Sequence, residues 1–214
     1  QVYQRTRETE KVAHLKNHSY LKEKKIWVIG SSWPEDESRV IPAFARLKNT
    51  HTELLMIIAP HEPTERRVVE IEQQLAAYNI KSVRYSDLTE DSSHFDALVV
   101  NKMGLLANIY SVGMAAFVGG SYEQNVHNVL EPAAHGIPVL FGPKIDTQPE
   151  AKLLVKTDGG FILKTAEEIE NKMHNLLNNP DMAHKTGENA KNLVIEHVGA
   201  AEKTTEVLLK LLQN

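Results

Sequence analysis

The stretch that decides the fold is AAFVGGSYEQNVHNVLEPAAHGIPVLFGP, residues 115–143. It begins with four apolar residues, 115–118, a run whose length is typical of a buried strand. Gly119 and Gly120 then predict a tight turn. A second apolar run, 137–141, predicts the next buried strand.

A helix is predicted between these two strands. Asn128 is a good N-cap, and Glu131 follows it at the spacing of a capping box. Gly136 ends the predicted helix. In a parallel sheet, such a strand–turn–helix–strand unit places free backbone N–H groups and a helix N-terminus at the carboxyl ends of the strands, where an anion can bind.

The composition describes an ordinary globular protein. The chain has 214 residues, of which 42% are hydrophobic and 24% are charged. A formal net charge of −4 argues against a basic surface for nucleic acid or for an anionic membrane. The absence of cysteine excludes disulfides and thiolate metal sites. No stretch approaches the ~18 apolar residues of a membrane span.

Apolar runs alternate with helical patterns along the rest of the chain. This alternation predicts a three-layer α/β/α, Rossmann-like domain over residues 26–214, with a parallel sheet of about six strands. Residues 1–25 are polar and highly charged, and they are predicted as a surface helix or a linker. Two helices, over Met182–His197 and Ala200–Leu211, are predicted to end the chain. Any ligand site is expected at the carboxyl ends of the strands.

The central stretch also carries a family resemblance. Residues 127–139 read H-N-x-L-E-P-A-A-x-G-x-P-V and are preceded by V-G-G-S at 118–121. This long string resembles the Kdo transferases, which attach 3-deoxy-D-manno-octulosonic acid (Kdo) to lipid A in lipopolysaccharide synthesis. The resemblance implies a two-domain glycosyltransferase-B fold, of which this chain corresponds to the C-terminal, donor-binding half.

The resemblance also implies the molecular context. The donor would be the cytidine monophosphate sugar CMP-Kdo, and the acceptor a lipid A precursor at the cytoplasmic face of the bacterial inner membrane. The acceptor-binding N-terminal domain, expected to be absent from this chain, would supply the membrane association and the general base. No catalytic residue is therefore assigned within this chain. No cofactor is implied, and without an Asp-x-Asp pair no metal is implied either.

The predicted donor site combines residue chemistry with the resemblance. The carboxylate of Glu131 can accept both vicinal hydroxyls of a ribose. Asn128 and the backbone N–H groups of residues 128–130 would face the donor phosphate, and the backbone of Gly120 and Ser121 would lie near the donor sugar. The full predicted set is Ser31, Ser32, Pro60, His61, Met103, Gly104, Leu105, Gly120, Ser121, Asn128, Val129, Leu130 and Glu131.

Several positions depart from the family pattern or favour a structural interpretation. His61 stands where the family has the arginine of P-R-H-P-E, and Lys144 stands where it has the histidine of G-P-H. The acids at 35–37 are interpreted as helix capping and compensation of a helix dipole. Arg66 and Arg67 are interpreted as part of a solvated helix face.

Two alternative functions remain open at this point. One is the donor domain of another glycosyltransferase-B enzyme that uses a UDP-sugar. The other is a non-catalytic nucleotide-binding or interaction module. A dehydrogenase is disfavoured because no G-x-G-x-x-G follows the first predicted strand. The main hypothesis expects the chain by itself to bind CMP without transferring sugar.

Overall fold

A computed structural model describes the backbone of residues 12–212 and the side chains of residues 12–196. Its centre is one parallel sheet. The strands are β1 Lys25–Ser32, β2 Leu54–Pro60, β3 Ser82–Arg84, β4 Ala97–Val99, β5 Ala115–Val118, β6 Val139–Phe141 and β7 Gly160–Ile162. They lie in the order β3-β4-β2-β1-β5-β6-β7, and every pair of neighbours is parallel. The sheet therefore has seven strands rather than the predicted six or so, and its two edge strands, β3 and β7, have only three residues each.

Helices cover both faces of this sheet. They are α1 Ala13–Asn17, α2 Ser19–Lys22, α3 Pro34–Lys48, α4 Glu65–Ala77, α5 Leu106–Ile109, α6 Leu130–Ala134, α7 Pro149–Lys156, α8 Ala166–Asn178 and α9 Pro180–Leu212. Two 3₁₀ turns, Tyr85–Asp87 and Tyr110–Val112, follow β3 and α5.

The core has two layers, one on each side of the sheet. On one side, α3, α4 and α8 bury Phe44, Ile71 and Met173 in one cluster with Trp27 of β1. Val28, the next residue of β1, points to the other side and packs with the first two helices and α5. A third cluster joins α6, α7 and α9 to β5 and β6. Because both faces of the strands are covered, the predicted three-layer α/β/α architecture is confirmed.

Helix starts follow the local signals of the sequence. Pro34 is the first residue of α3, where its missing N–H costs no hydrogen bond. The hydroxyl of Thr64 accepts the backbone N–H of Arg67 at 3.3 Å, and that of Thr165 accepts the N–H of Glu168 at 3.1 Å. These side chains cap α4 and α8.

The segment ahead of β1 is more than a surface helix or a linker. Residues 1–11 lie outside the described part of the chain, but residues 12–22 form a short turn and two short helices. Val12, Leu15 and Leu21 are buried against the sheet. These three residues are too few to form an apolar stripe in the sequence, yet each of their side chains packs in the core.

The prediction of two separate helices at the end of the chain is wrong. Residues Pro180–Leu212 form one continuous helix of 33 residues. Gly199 lies at the expected break, but a glycine in a helix interior costs only about 1 kcal/mol relative to alanine and does not by itself end a helix. No proline follows Pro180 within this segment.

The strand order places a crevice beside β1. The chain passes from β1 to β2 on one side and later returns to form β5 on the other side. The loops that follow β1 and β5 therefore start at adjacent carboxyl ends, which is where open parallel sheets bind ligands. In residues 12–212 no helix has the length and apolarity that crossing a bilayer requires.

Candidate functional site

The loops after β1 and β5 meet closely at the centre of the sheet edge. Ser31 has a left-handed backbone, with φ of 52°, and the pairing of β1 with β2 shifts register at this point. The N–H of Gly119 donates to the carbonyl of Gly30 at 2.8 Å. A Cβ at Gly119 would lie 2.4 Å from the carbonyl oxygen of Ser31, so only glycine fits here.

A buried carboxylate joins these two loops. Asp36, in the first turn of α3, is 1% exposed. Its Oδ2 accepts the backbone N–H of Trp33 at 2.9 Å and that of Gly120 at 2.8 Å. Burial raises the pKa of Asp36 to about 6, although the backbone hydrogen bonds oppose that shift. The predicted helix-capping role of this acid is present, and the link to Gly120 is an addition to it.

A second buried acid ties α3 to α4. Glu37 is fully buried, and both of its carboxylate oxygens accept from Nη2 of Arg67, at 2.7 and 2.6 Å. The hydroxyl of Ser32 donates to Glu37 Oε1 at 2.8 Å. Arg67 also pairs with Glu70. The prediction that Arg67 is part of a solvated helix face is thus wrong, because two carboxylates hold its side chain against the protein.

Arg66, the neighbouring arginine, behaves as the sequence indicates. Its side chain is 88% exposed and pairs with Glu70 along the surface of α4. The helical spacing turns one of these two adjacent arginines towards the crevice and the other towards solvent.

Three aromatic rings line the mouth of the crevice. Trp33, His61 and His127 come from the loops after β1, β2 and β5. The His61 ring stacks on His127 at a centroid distance of 4.4 Å and on Trp33 at 5.0 Å. Nε1 of Trp33 donates to Nε2 of His127 at 2.9 Å. Burial, together with the nearby His61, lowers the pKa of His127, which favours its neutral, hydrogen-bond-accepting form.

Two open cavities flank this aromatic group. The first, of about 150 Å³, is lined by Ser32, Trp33, Pro34, His61, Glu62 and Arg67. The second, of about 300 Å³, is lined by residues 125–130 with Gln148 and Glu150. His61 lines the first cavity, His127 lines the second, and their rings stack on each other.

The helix after β5 begins later than predicted. Asn128 was expected as its N-cap, but α6 starts at Leu130 and Val129 occupies the cap position. The Asn128 side chain still satisfies a backbone donor, because its Oδ1 accepts the N–H of Leu130 at 3.0 Å. This local bond forms a turn that competes with the first turn of helix. Gly136, with φ of 73°, ends the helix as predicted.

Glu131 lies beside Asn128 on the half-buried side of this turn. Oε1 of Glu131 accepts from Nδ2 of Asn128 at 3.3 Å. Its charge also contributes, after burial, to raising the pKa of the buried Tyr110. The carboxylate therefore lies in the first turn of α6, next to the exposed Asn128 of the preceding loop.

Three predicted site residues use their polar groups in hydrogen bonds within the protein. The N–H of Gly120 is donated to Asp36, as described above. Ser121 is fully buried, and its hydroxyl accepts the N–H of Gly142 at 2.6 Å and donates to the carbonyl of Val118 at 3.1 Å. The hydroxyl of Ser32 is likewise held by Glu37. Their contribution to the site is to shape it.

The loop after β4 places residues that are more exposed to solvent than Gly120 and Ser121 at the carboxyl ends of the strands. Met103 is 73% exposed, and Gly104 has φ of 79° with open space around its Cα. Leu105 packs partly into the core beneath the loop. Pro60 is the buried last residue of β2. All predicted site residues thus lie at or beyond the carboxyl ends of β1, β2, β4 and β5.

The sequence interpretation missed the network that holds this edge together. Asp36, Glu37, Arg67 and the indole of Trp33 were assigned no part in the site. The only available signal was their proximity to the G-S-S-W run, since acids in a first helical turn are usually exposed. In the described part of the chain, no group of three or more His, Asp or Glu side chains could hold a metal ion.

Comparison with known proteins identifies relatives. No family model matches the chain. A "3-deoxy-D-manno-octulosonic acid transferase" of Rickettsia felis is 27% identical over 206 residues, which are 95% of this chain and 44% of that protein. A "bifunctional glycosyltransferase/methyltransferase" of Fusobacterium nucleatum is 31% identical over 169 residues, 75% of this chain and 26% of that protein.

A solved structure shows the same fold. The C-terminal CMP-Kdo binding domain of WaaA from Acinetobacter baumannii superposes with a TM-score of 0.78 at 22% identity, covering 87% of this chain and 97% of that domain. These findings confirm both the resemblance to the Kdo transferases and the Rossmann-like fold of a glycosyltransferase-B C-terminal half. The chain spans only 36% to 47% of the length of the first four curated relatives.

Proposed function

We propose that this chain is the donor-binding half of a glycosyltransferase that transfers Kdo from CMP-Kdo to a lipid A precursor in lipopolysaccharide synthesis. The observation that carries the proposal is the H-N-x-L-E-P-A-A-x-G-x-P-V segment, which begins in the loop after β5, where His127 accepts a hydrogen bond from Trp33 of the loop after β1. The sequence similarity to Kdo transferases extends over 95% of the chain in the Rickettsia felis protein. The complete enzyme would work at the cytoplasmic face of the inner membrane, with the acceptor bound by a separate N-terminal domain.

In this proposal the loop after β5 holds CMP. The ribose hydroxyls bond to the carboxylate of Glu131. The phosphate accepts from backbone N–H groups at residues 128–130 and from the side chain of Asn128. Because Asn128 Oδ1 accepts the Leu130 N–H in the free chain, the phosphate replaces it there and the exposed Asn128 side chain rotates.

The remaining predicted residues surround the nucleotide from neighbouring strands. Met103 and Gly104 approach CMP through the exposed loop after β4. His61 takes the place of an arginine, so this position does not offer the rigid bidentate guanidinium that an arginine would present to a phosphate. Among the described residues of the crevice, Arg67 is already paired with two acids, which leaves backbone N–H groups and histidines as the main donors.

The chemistry of the transfer divides between two domains. An acceptor hydroxyl attacks the anomeric carbon of Kdo, its proton passes to a general base of the N-terminal domain, and the bond from that carbon to the CMP oxygen breaks. Negative charge develops on the departing phosphate. N–H groups that already face the phosphate stabilise that charge without reorganisation. This half of the enzyme therefore contributes to leaving-group departure.

The proposal is tested by nucleotide binding to the chain as it stands. Isothermal calorimetry with CMP and with UDP should show saturable binding of CMP and at least tenfold weaker binding of UDP. Glu131→Ala should weaken CMP binding by about tenfold or more, since a charged hydrogen bond contributes about 1.5–3 kcal/mol. Glu188→Ala, which removes an exposed carboxylate on α9, is the matched control and should bind as the unaltered chain does.

Each alternative has its own signature in this experiment. A preference for UDP would assign the chain to another class of glycosyltransferase. Absence of binding to either nucleotide would favour an interaction module. In an assay with CMP-Kdo and a lipid A precursor, the chain alone should bind donor and show no turnover; measurable transfer would contradict the division of labour.

A further inference from the structure

Asp36 is the point at which the two central loops are fastened together. One oxygen, Oδ2, accepts the N–H of Trp33 from the loop after β1 and the N–H of Gly120 from the loop after β5. The bond to Gly120 is buried and the bond to Trp33 is partly buried, and Asp36 itself is 1% exposed. The side chain is therefore out of reach of a ligand in the crevice.

The bonds continue from Asp36 to the predicted phosphate loop. Gly119, next to Gly120, accepts the backbone N–H of His127 at 3.1 Å. His127 also accepts from the indole of Trp33 at 2.9 Å. Both residues that Asp36 holds thus lead to His127, the residue before Asn128.

We infer that Asp36 is a positioning residue of the nucleotide site, acting through Trp33 and Gly120 to place the loop that begins at His127. This inference rests on the proposed function, because the nucleotide site is part of that proposal. It assigns to this acid a role in the site in addition to helix capping.

The surroundings of Asp36 favour positioning over charge pairing. The hydroxyl of Ser121 lies 3.5 Å from Oδ1, and the charged neighbour on its own helix is Glu37, which repels it. Arg39, one turn further along the same helix, places its guanidinium over the ring of Tyr122 at 4.1 Å. The carboxylate is thus held by backbone and hydroxyl dipoles, and what it provides is two aligned acceptor bonds.

This arrangement distinguishes two substitutions. In Asp36→Asn, a single carbonyl oxygen can take the place of Oδ2 and accept both N–H groups. The new amide NH₂ then faces the Ser121 hydroxyl, which can accept a hydrogen bond. In Asp36→Ala, the N–H groups of Trp33 and Gly120 both lose this acceptor. If the role is positioning, the asparagine should preserve it and the alanine should abolish it.

The experiment measures CMP affinity and the Trp33 indole N–H resonance in four proteins. In calorimetry, Asp36→Asn should bind CMP within about threefold of the unaltered chain, and Asp36→Ala at least tenfold more weakly. In ¹⁵N-correlated spectra, the Trp33 indole signal should move in Asp36→Ala and stay in place in Asp36→Asn. The other tryptophan, Trp27, lies buried in β1 and provides an internal reference.

Asp96→Ala is the matched control. Asp96 also accepts a backbone N–H, from Lys81 at 3.1 Å. It directly precedes β4 and so lies at the amino end of that strand, away from the carboxyl ends where the crevice is. Its removal should lower stability without changing CMP affinity or the Trp33 signal.

Several outcomes would overturn the inference. Unchanged CMP binding in Asp36→Ala, or equal losses in both variants, would rule out positioning by the acceptor oxygen. Should Asp36→Ala not fold, Asp36→Asn decides alone: loss of CMP binding with an unmoved Trp33 signal would contradict the inference. If the unaltered chain does not bind CMP, the proposed function fails. In that case an unmoved Trp33 signal in Asp36→Ala refutes the link between the loops separately.

Discussion

Two individual residues at the sheet edge adopt states that are unfavourable by themselves. Ser31 has a left-handed backbone, which costs an L-residue other than glycine roughly 1–2 kcal/mol. Asp36 is a carboxylate removed from water without a cationic partner, and its pKa of about 6 reflects the cost of ionising it. Such states persist where the surrounding structure fixes them, and they concentrate at binding sites.

The burial of Asp36 predicts a pH-dependent stability. Because its pKa rises from 3.8 to about 6 on folding, the folded chain holds this proton more tightly than the unfolded chain does. The contribution of this protonated carboxyl to the free energy of unfolding is fully present below about pH 4. It is lost as the pH rises through about 6, and the total loss is about 3 kcal/mol. Asp36→Asn cannot titrate, so its advantage over the unaltered chain should grow by more than about 1 kcal/mol between pH 5 and pH 7.5.

Urea denaturation of both proteins at several pH values measures this difference. Parallel stability curves for Asp36→Asn and the unaltered chain would show that this carboxyl titrates normally.

At the scale of secondary structure, the site depends on contacts that fix one element against another. Glu37 and Arg67 join α3 to α4 beneath the first cavity. On the other side of β5, α9 approaches the end of α6 through glycine. A Cβ at Gly187 would lie 2.0 Å from the carbonyl oxygen of Gly136.

The adjacent arginines of α4 provide a paired test of the first contact. Arg67→Ala leaves the fully buried Glu37 without its cation and should lower the free energy of unfolding by about 3–5 kcal/mol at pH 7.5. Arg66→Ala removes an exposed ion pair of the same helix and should cost less than about 1 kcal/mol. Equal effects of the two substitutions in chemical denaturation would mean that the Glu37–Arg67 pair is not buried.

The second contact is tested by adding one carbon. Gly187→Ala raises helix propensity, yet it should lower stability by about 1–3 kcal/mol because α9 must move away from Gly136. Asn192→Ala, at an exposed position of the same helix, serves as the control and should be neutral or slightly stabilising. A stabilised Gly187→Ala in thermal denaturation would show that α9 does not pack on α6 this closely.

For the whole molecule, periodicity and turn residues predicted the architecture because they act over short distances. The apolar run at 115–118 and the caps at Pro34, Thr64 and Thr165 were all recognisable in the sequence. Contacts between distant residues were not. Asp36 and Gly120 are 84 positions apart, and Glu37 and Arg67 are 30 apart, so no local pattern could pair them.

The same limit explains the errors at the two ends of the described chain. Val12, Leu15 and Leu21 enter the core singly, which no periodic stripe predicts. Gly199 lowers the local helix propensity, and the sequence pattern does not show that a continuous helix of 33 residues tolerates this cost. Asn128 kept its predicted hydrogen-bonding function while the helix began one residue later than predicted.

The central claim is that the loop after β5 holds CMP at the crevice beside β1. A crystal structure of the chain soaked with CMP tests it most directly. The account predicts phosphate density against the N–H groups of residues 128–130 and both ribose hydroxyls within hydrogen-bond distance of the Glu131 carboxylate. Density at another place on the molecule, or a ribose that does not contact Glu131, would contradict it.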